Sequence, residues 1–498
     1  MRSKNRVQSS PELTWKGKAR CLIEAGSELP LKCSAIYSSK TTNDTFEVQG
    51  RLIQGDNLRI MQALLNEGLG SKIELIYIDP PFLSNADYYH KTDIGSKKLK
   101  QKAYGDKWSK EAYLNMLYPR FRLIKKLLTP TGKIFAHSDW RASPYIKLLM
   151  DEIFNSDNFL NEIIWSYGGR GAKATSNQFP RNHDTILAYG NSSNSRLKKV
   201  YSKKSLTLAE ALRSDYRQDS KGRVFKTAPR GDYTDKSIAK LEAEGRIHKT
   251  RNGNIRIKYF LKPSGNKFLE EKLIGDVWDD IPDAMHLPLR EKTGYATQKP
   301  EALLERIIEC ATEKGNIVCD LFSGSGTSAV VAGRLKRGWI ALENSPIAIN
   351  VIRKRLLANN LSHFKIEKPE EEKNKKSPTS SPAISTKDIV IKRLEDNRVE
   401  VTISIKGYEP LESRAGLVSE LEMNSAEDKL ILIDYIGIDW DFNGDIFCPT
   451  WHSYRLKNKN NKALIDLTAK ALLTEAPKKI NIHCVDIFGD EVIKILDL

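Results

Sequence analysis

The sequence predicts an α/β protein on a mainly parallel sheet, with a basic insert in its middle and a β-rich domain at its end. Three observations carry this. Glu74 to Phe82 is an apolar run, short enough for a buried parallel strand, that ends in two prolines. Asn316 to Thr327 is a second short run that enters Gly324-Ser325-Gly326 and then the helical pattern SAVVAGRL. Beyond residue 386, DIVIKRL, RVEVTISIKG, KLILIDYIGIDW, KKINIHCVDIFG and DEVIKILDL alternate with turn residues, which is a strand-rich pattern.

The 498 residues allow two to four domains at roughly 150 residues each. With 40% hydrophobic and 29% charged residues, no window approaches the roughly 18 consecutive apolar residues of a membrane span. An integral membrane protein is excluded, and no membrane partner is expected. Met1 to Arg6 is charged and leads into polar residues rather than an apolar signal region, so the expected location is cytoplasmic. Cys21, Cys33, Cys310, Cys319, Cys448 and Cys484 form no C-x-x-C pair and are read as reduced core thiols.

The 80 Lys and Arg outnumber the 63 Asp and Glu, a balance suited to a polyanionic partner. The excess is unevenly placed. Residues 387 to 498 hold 15 basic and 20 acidic side chains, whereas Ser195 to Glu270 holds 20 basic and 8 acidic. That stretch shows little sustained periodicity and reads as an inserted, phosphate-facing region. EKPEEEKNKKSPTSSPAIST, between Lys365 and Lys387, reads as a solvated linker. No internal repeat is present.

Asp79-Pro80-Pro81-Phe82 falls at a strand's carboxyl end, where open α/β sheets bind ligands. The prolines prevent a helix, so the Asp79 side chain and the Pro80 carbonyl can face one cleft, with Pro81 shaping the loop. Two such acceptors suit a planar exocyclic amine, a poor nucleophile until both N–H bonds are held. Phe82 offers a stacking face, worth on the order of 1–3 kcal/mol per base. In duplex DNA the target base must be flipped out to reach such a site. On this motif alone a plain strand-to-loop turn stays open.

In the second constellation Gly324 and Gly326 let a ligand approach the backbone at a helix N-terminus. Glu343 ends the next strand pattern, 19 residues after Gly324, the spacing at which an acid meets ribose hydroxyls. Ala329 stands where the dinucleotide fingerprint has its third glycine, which disfavours NAD and leaves S-adenosylmethionine open. Asp320 is read as orienting this loop. His137 and Asp139 follow an apolar strand and are read either as cleft residues or as loop caps. No metal is expected, because the eight histidines form no i, i+4 pair.

Asp79-Pro80-Pro81-Phe82 and the Phe322 to Thr327 string F-S-G-S-G-T together resemble the catalytic and cofactor motifs of amino-methylating DNA methyltransferases. The catalytic motif comes first, as in the β group, which includes the modification subunits of type III restriction systems and similar adenine-specific methylases. Gly55-Asp56-Asn57-Leu58, Thr297-Gln298-Lys299-Pro300, His137-Ser138-Asp139-Trp140 and Val277 to Pro282 follow the same pattern, so the resemblance covers roughly residues 11 to 360. It implies a Rossmann-like, circularly permuted core using S-adenosylmethionine. Asp56, Asp320, Phe322, Gly324, Gly326, Thr327 and Glu343 would hold the cofactor, and Gln298, Lys299 and Pro300 would close over its methionine part. It implies direct methyl transfer to adenine N6 in double-stranded DNA with a flipped target base, in a restriction-modification setting, with a restriction subunit and a homodimer as possible associations.

Phe82 and Leu321 depart from the commoner Tyr and Pro without removing a required group. The alternatives are cytosine N4 methylation, RNA or protein N-methylation, and an inactive DNA-binding module. The expected organisation is an N-terminal extension (1–50), a catalytic half (51–161), a target-recognition insert (162–290), a cofactor half (291–364), a linker (365–386) and the β-rich domain (387–498). Tyr167 to Gly171 is read as a basic loop that either helps flipping or is ordinary surface.

Overall fold

The apolar run Ile73–Ile78 lies in the middle of a ten-stranded sheet, and all but one of its residues are buried. The computed structural model describes residues 12–19, 30–38, 49–94, 97–168, 177, 179–370, 381–387, 389–455 and 465–498. In chain order the core elements are β1 (Leu31–Tyr37), β2 (Gly50–Gln54), α1 (Asn57–Leu64), β3 (Ile73–Ile78), β4 (Asp87–Ile94), β5 (Lys97–Gly105), α2 (Lys110–Leu127) and β6 (Leu128–Ser138). They continue with α3 (Ser143–Phe154), β7 (Phe159–Ser166), β8 (His183–Gly190), β9 (Val277–Trp278) and α4 (Glu301–Ala311). β10 (Ile317–Asp320), α5 (Thr327–Arg334), β11 (Gly338–Glu343), α6 (Pro346–Ala358) and β12 (Phe364–Pro369) complete the set.

The sheet order is β1-β12-β2-β11-β10-β3-β6-β8-β7-β9. From β12 to β6 every neighbouring pair is parallel, while β8 runs antiparallel between β6 and β7. This is the expected α/β core with a mainly parallel sheet. Helices α1, α2 and α3 contribute Ile60, Leu117, Phe121 and Leu149 to the main core with Ile76 and Ile134 from β3 and β6. Side-chain caps fix several helix starts: Asp56 accepts from Leu58 and Arg59, Ser109 from Ala112, and Ser345 from Ala348.

Several boundaries move. The N-terminal extension carries β1, which pairs antiparallel with β12, so part of it is core. β7, β8 and β9 also belong to the central sheet, so the insert is shorter than 162–290. The separate compact unit spans Lys199–Gly275, with 19 basic and 9 acidic side chains. It is more regular than its periodicity suggests, because its strands are short and largely exposed. Val224–Pro229, Ile255–Phe260 and Ile247–Lys249 form a sheet beside the helix Asp235–Ala243, and Tyr201–Leu206 pairs with Lys267–Leu273. The linker also shortens, since β12 runs to Pro369 and the β-rich domain begins at Ala383–Thr386.

That last domain contains two four-stranded sheets around Val401, Ile436, Trp440 and Ile482. Cys310, Cys319 and Cys484 are buried as expected, but Cys33 is half-buried and Cys448 is exposed in the turn after Ile433–Asp439; Cys21 lies outside the described residues. Among the described residues no helix is long and apolar enough to cross a membrane.

Candidate active site

Strand register brings the distant motifs to one edge of the sheet. Asp320 pairs with Tyr77 on one side and Ala341 on the other, and Glu343 pairs with Gln54. The residues at or just past these strand ends are therefore neighbours. Asp56, Asp79, Asp320, Phe322, Gly324 and Glu343 line one cavity of about 340 Å³, within the range of ligand pockets.

The glycine turn is held from below by carboxylates. Glu343 Oε2 accepts the Gly324 amide at 2.8 Å, and its Oε1 accepts the Asn344 and Ser345 amides at 2.9 Å each. Burial raises the pKa of this carboxyl against the three donors. Asp320 Oδ1 accepts the Phe322 amide at 3.0 Å, and its other oxygen accepts the Ser328 hydroxyl. Burial, with the nearby Asp79 and Glu343 charges, pushes the Asp320 pKa up to about 7. Asp320 thus orients the loop, as expected, and also stands on the cavity wall.

The two glycines serve different ends. Gly324, at φ +51°, lines the cavity, and a Cβ there would stand 3.3 Å from the Tyr295 ring. Gly326, at φ +74°, does not line it; a Cβ there would run into Ile352 of α6 at 2.7 Å. The expectation that Gly326 admits the cofactor is therefore corrected: it allows α6 to pack against the turn. Thr327 lines the cavity, but its hydroxyl donates to the Lys299 carbonyl at 3.1 Å and accepts from Arg355 at 2.8 Å. Asp56 is also committed within the chain, capping α1 and accepting Arg120 Nη2 at 3.0 Å.

Across the cavity, Asp79 Oδ2 accepts Lys299 Nζ at 2.5 Å, while Oδ1 is buried and unpartnered among the described residues. The same ammonium lies 5.2 Å from the centre of the Phe82 ring. Lys299 lines the cavity and makes its ion pair with Asp79, instead of closing over a cofactor alone. Gln298 also lines the cavity, and its amide is committed within the chain: Oε1 accepts the Thr293 amide and hydroxyl and Nε2 donates to the Glu291 carbonyl, so it braces that loop. Pro300 occupies the N-cap position of α4 and is not on the cavity wall. Pro81 lines the cavity, whereas Pro80 and Phe82 do not. Thr297, a β-branched residue, is held at φ +60°, a strained conformation beside the site.

Three features escaped sequence reasoning. Asp106, only 1% exposed, accepts the amides of Phe82, Leu83 and Ser84 at 3.0, 3.1 and 2.8 Å and the Ser84 hydroxyl at 2.6 Å. Nothing in A-Y-G-D-K-W marks it. Tyr295 and Tyr104, on the cavity wall, likewise carry no motif signal. His137, left open between cleft and cap, is fully buried: Nδ1 meets the Tyr77 hydroxyl at 2.8 Å, Nε2 meets Asp184 at 3.1 Å, and the Phe82 ring stacks on it at 5.9 Å. The Asp184 carboxyl, which burial alone would raise, is held below its ordinary pKa by His137. Asp139 is the loop cap, accepting from the Arg141 amide at 2.9 Å. Of the Tyr167 to Gly171 loop, only Tyr167 and Gly168 lie within the described residues.

Residues 73–354 match the family described as DNA methylase. The chain is 30% identical to type II methyltransferase M.EcaI of Enterobacter cloacae over 332 residues, 61% of this chain and 68% of that protein. It is 25% identical to the DNA adenine methyltransferase YhdJ of Escherichia coli K12, over 66% of this chain and 88% of that one. It is also 26% identical to the Mod subunit of the type III restriction-modification enzyme StyLTI of Salmonella typhimurium LT2 over 66% of this chain, and spans 56% of that subunit.

Proposed function

The chain belongs to the DNA methylase family, and from that premise we propose that it transfers the methyl group of S-adenosylmethionine to adenine N6 in DNA. The observation that carries this reading is the Asp79 carboxylate, anchored through one oxygen by Lys299 while the other remains buried and unpartnered. A buried acceptor without a donor costs about 1–3 kcal/mol, which a substrate N–H recovers. The exocyclic amine of a flipped base brings that donor, and the Pro80 carbonyl is the second acceptor in this reading. Both N–H bonds are then held, and the nitrogen lone pair is freed from the ring.

The residues present fit an adenosyl sulfonium. Glu343 presents a carboxylate where ribose hydroxyls would donate, Gly324 leaves room a side chain would fill, and the Phe322 ring suits a cation. Bound there, S-adenosylmethionine supplies an electrophilic methyl group. Asp79 orients the amine, Pro81 shapes the loop, and Phe82, backed by His137, gives the base a stacking face. Asp56, Gln298, Asp320 and Thr327 belong to the cofactor side; Pro300 acts at one remove, at the N-cap of the helix that follows Lys299.

Duplex DNA with a flipped adenine is the substrate in this reading, and the basic unit 199–275 meets its phosphates and contributes target recognition. The likeness to the Mod subunit of a restriction-modification enzyme supports a restriction subunit as partner. Asp79→Ala is the test. Cofactor binding by calorimetry should change less than threefold while methyl transfer to DNA falls at least a hundredfold; transfer at the wild-type rate would overturn the assignment.

A further inference from the structure

The loop after the catalytic motif is tied to the C-terminal domain. Leu83 and Asn85 sit at φ +59° and +54°, conformations that non-glycine residues hold only when their surroundings impose them. Asp106 holds the stretch around the first of them, through its four hydrogen bonds to Phe82, Leu83 and Ser84. This aspartate closes the root of the β4–β5 hairpin, where its amide donates to the Ala86 carbonyl at 2.8 Å.

The hairpin buries one face along its length: His90, Thr92 and Ile94 on β4, and Leu99 and Gln101 on β5, alternate with more exposed neighbours. Midway along, β4 meets the segment before α4, with the Lys91 amide donating to the Gly294 carbonyl at 3.2 Å. At the tip, Ile94 and Leu99 join the hydrophobic core of the C-terminal domain beside Val401, Ile403 and Ile436. Lys97 Nζ donates there to the Glu420 carbonyl at 3.2 Å and pairs with Glu422 at 3.4 Å. That domain is itself fixed to α6, where Asn350 donates to Asp434 at 2.7 Å and the buried Arg353 pairs with Glu491 at 3.3 Å.

A two-stranded hairpin is at best marginally ordered alone, so its order comes from what it docks on. We propose that the C-terminal domain is a positioning element of the active site. By gripping the hairpin tip it fixes Asp106, and through Asp106 it holds Phe82 to Ser84 in the shape that presents Asp79 and the stacking ring. What the loop does once held rests on the reaction proposed above; the mechanical link does not.

The test is hydrogen exchange on the full chain, comparing wild type with Leu99→Ala and with the double variant Ile94→Ser/Leu99→Ser. The Phe82, Leu83 and Ser84 amides should exchange about threefold faster in the single variant and at least tenfold faster in the double, with the Cys319 and Gly324 amides unchanged. Should the double variant unfold, the single variant carries the test. Unchanged loop exchange alongside faster exchange at the hairpin tip would overturn the link. In methyl-transfer assays the tip variants should lower kcat at least tenfold with the cofactor KM within twofold. Adding Asp106→Asn should lower it little further, because both changes break one chain of contacts; fully multiplying effects would overturn it. Loop exchange that responds to the tip in a protein transferring no methyl to DNA would support the link and sink the reaction.

Discussion

Gly326→Ala separates packing from binding in the glycine turn. The new methyl would sit at φ +74°, where a non-glycine residue pays about 1–2 kcal/mol. It would also lie 2.7 and 2.9 Å from the two Cγ atoms of Ile352, a fully buried side chain that cannot swing away, and such overpacking costs about 1–3 kcal/mol. The sum is a loss of about 2–5 kcal/mol, read by equilibrium urea unfolding followed by circular dichroism. Ile352→Ala alone should cost about 2–5 kcal/mol by leaving a cavity. In the double variant the added methyl meets that space, so the two losses should fall short of additivity by about 1–3 kcal/mol. Cofactor affinity of folded Gly326→Ala should stay within threefold of wild type. A loss below about 1 kcal/mol with a tenfold weaker cofactor would refute the reasoning, since Gly326 would then face the ligand.

Lys299→Met should leave the cofactor Kd within a few fold and lower methyl transfer at least tenfold, because Asp79 loses the 2.5 Å contact that orients it; a rate within twofold of wild type would contradict this. The Asp320 carboxyl, raised from 3.8 to about 7, contributes stability that is whole below about pH 4 and is lost as pH rises through 7. Asp320→Asn should therefore gain about 2–3 kcal/mol relative to wild type between about pH 5 and pH 8, measured by unfolding at both. Excising residues 200–274 with a short glycine link should leave cofactor binding intact, because the Ile274 amide already donates to the Val200 carbonyl at 3.0 Å. DNA binding should weaken at least tenfold and depend less on salt.

The parts of the fold legible in the sequence were those that local pattern determines. Ile73–Ile78 and Ile317–Asp320 are apolar runs closed by motif residues, and Glu343 stands at a spacing set by one strand–helix–strand unit. Neighbouring strand ends then bring the motifs together without further information. What sequence could not show depends on partners distant in the chain. Gly326 reads like Gly324 until α6 is seen packed on it, and Lys299 reads as a cofactor residue until β3 brings Asp79 within reach. Asp106 has no pattern at all, because its role comes from a loop folding back 22 to 24 residues. The 199–275 unit looked irregular because exposed short strands have no buried face to print a period of two.

The central claim is the reaction itself. Purified protein incubated with labelled S-adenosylmethionine and mixed-sequence duplex DNA, followed by nucleoside mass spectrometry, should yield N6-methyladenine that Asp79→Ala abolishes. N4-methylcytosine would overturn the choice of base, and a protein that binds the cofactor yet leaves every DNA base unmodified would contradict the account.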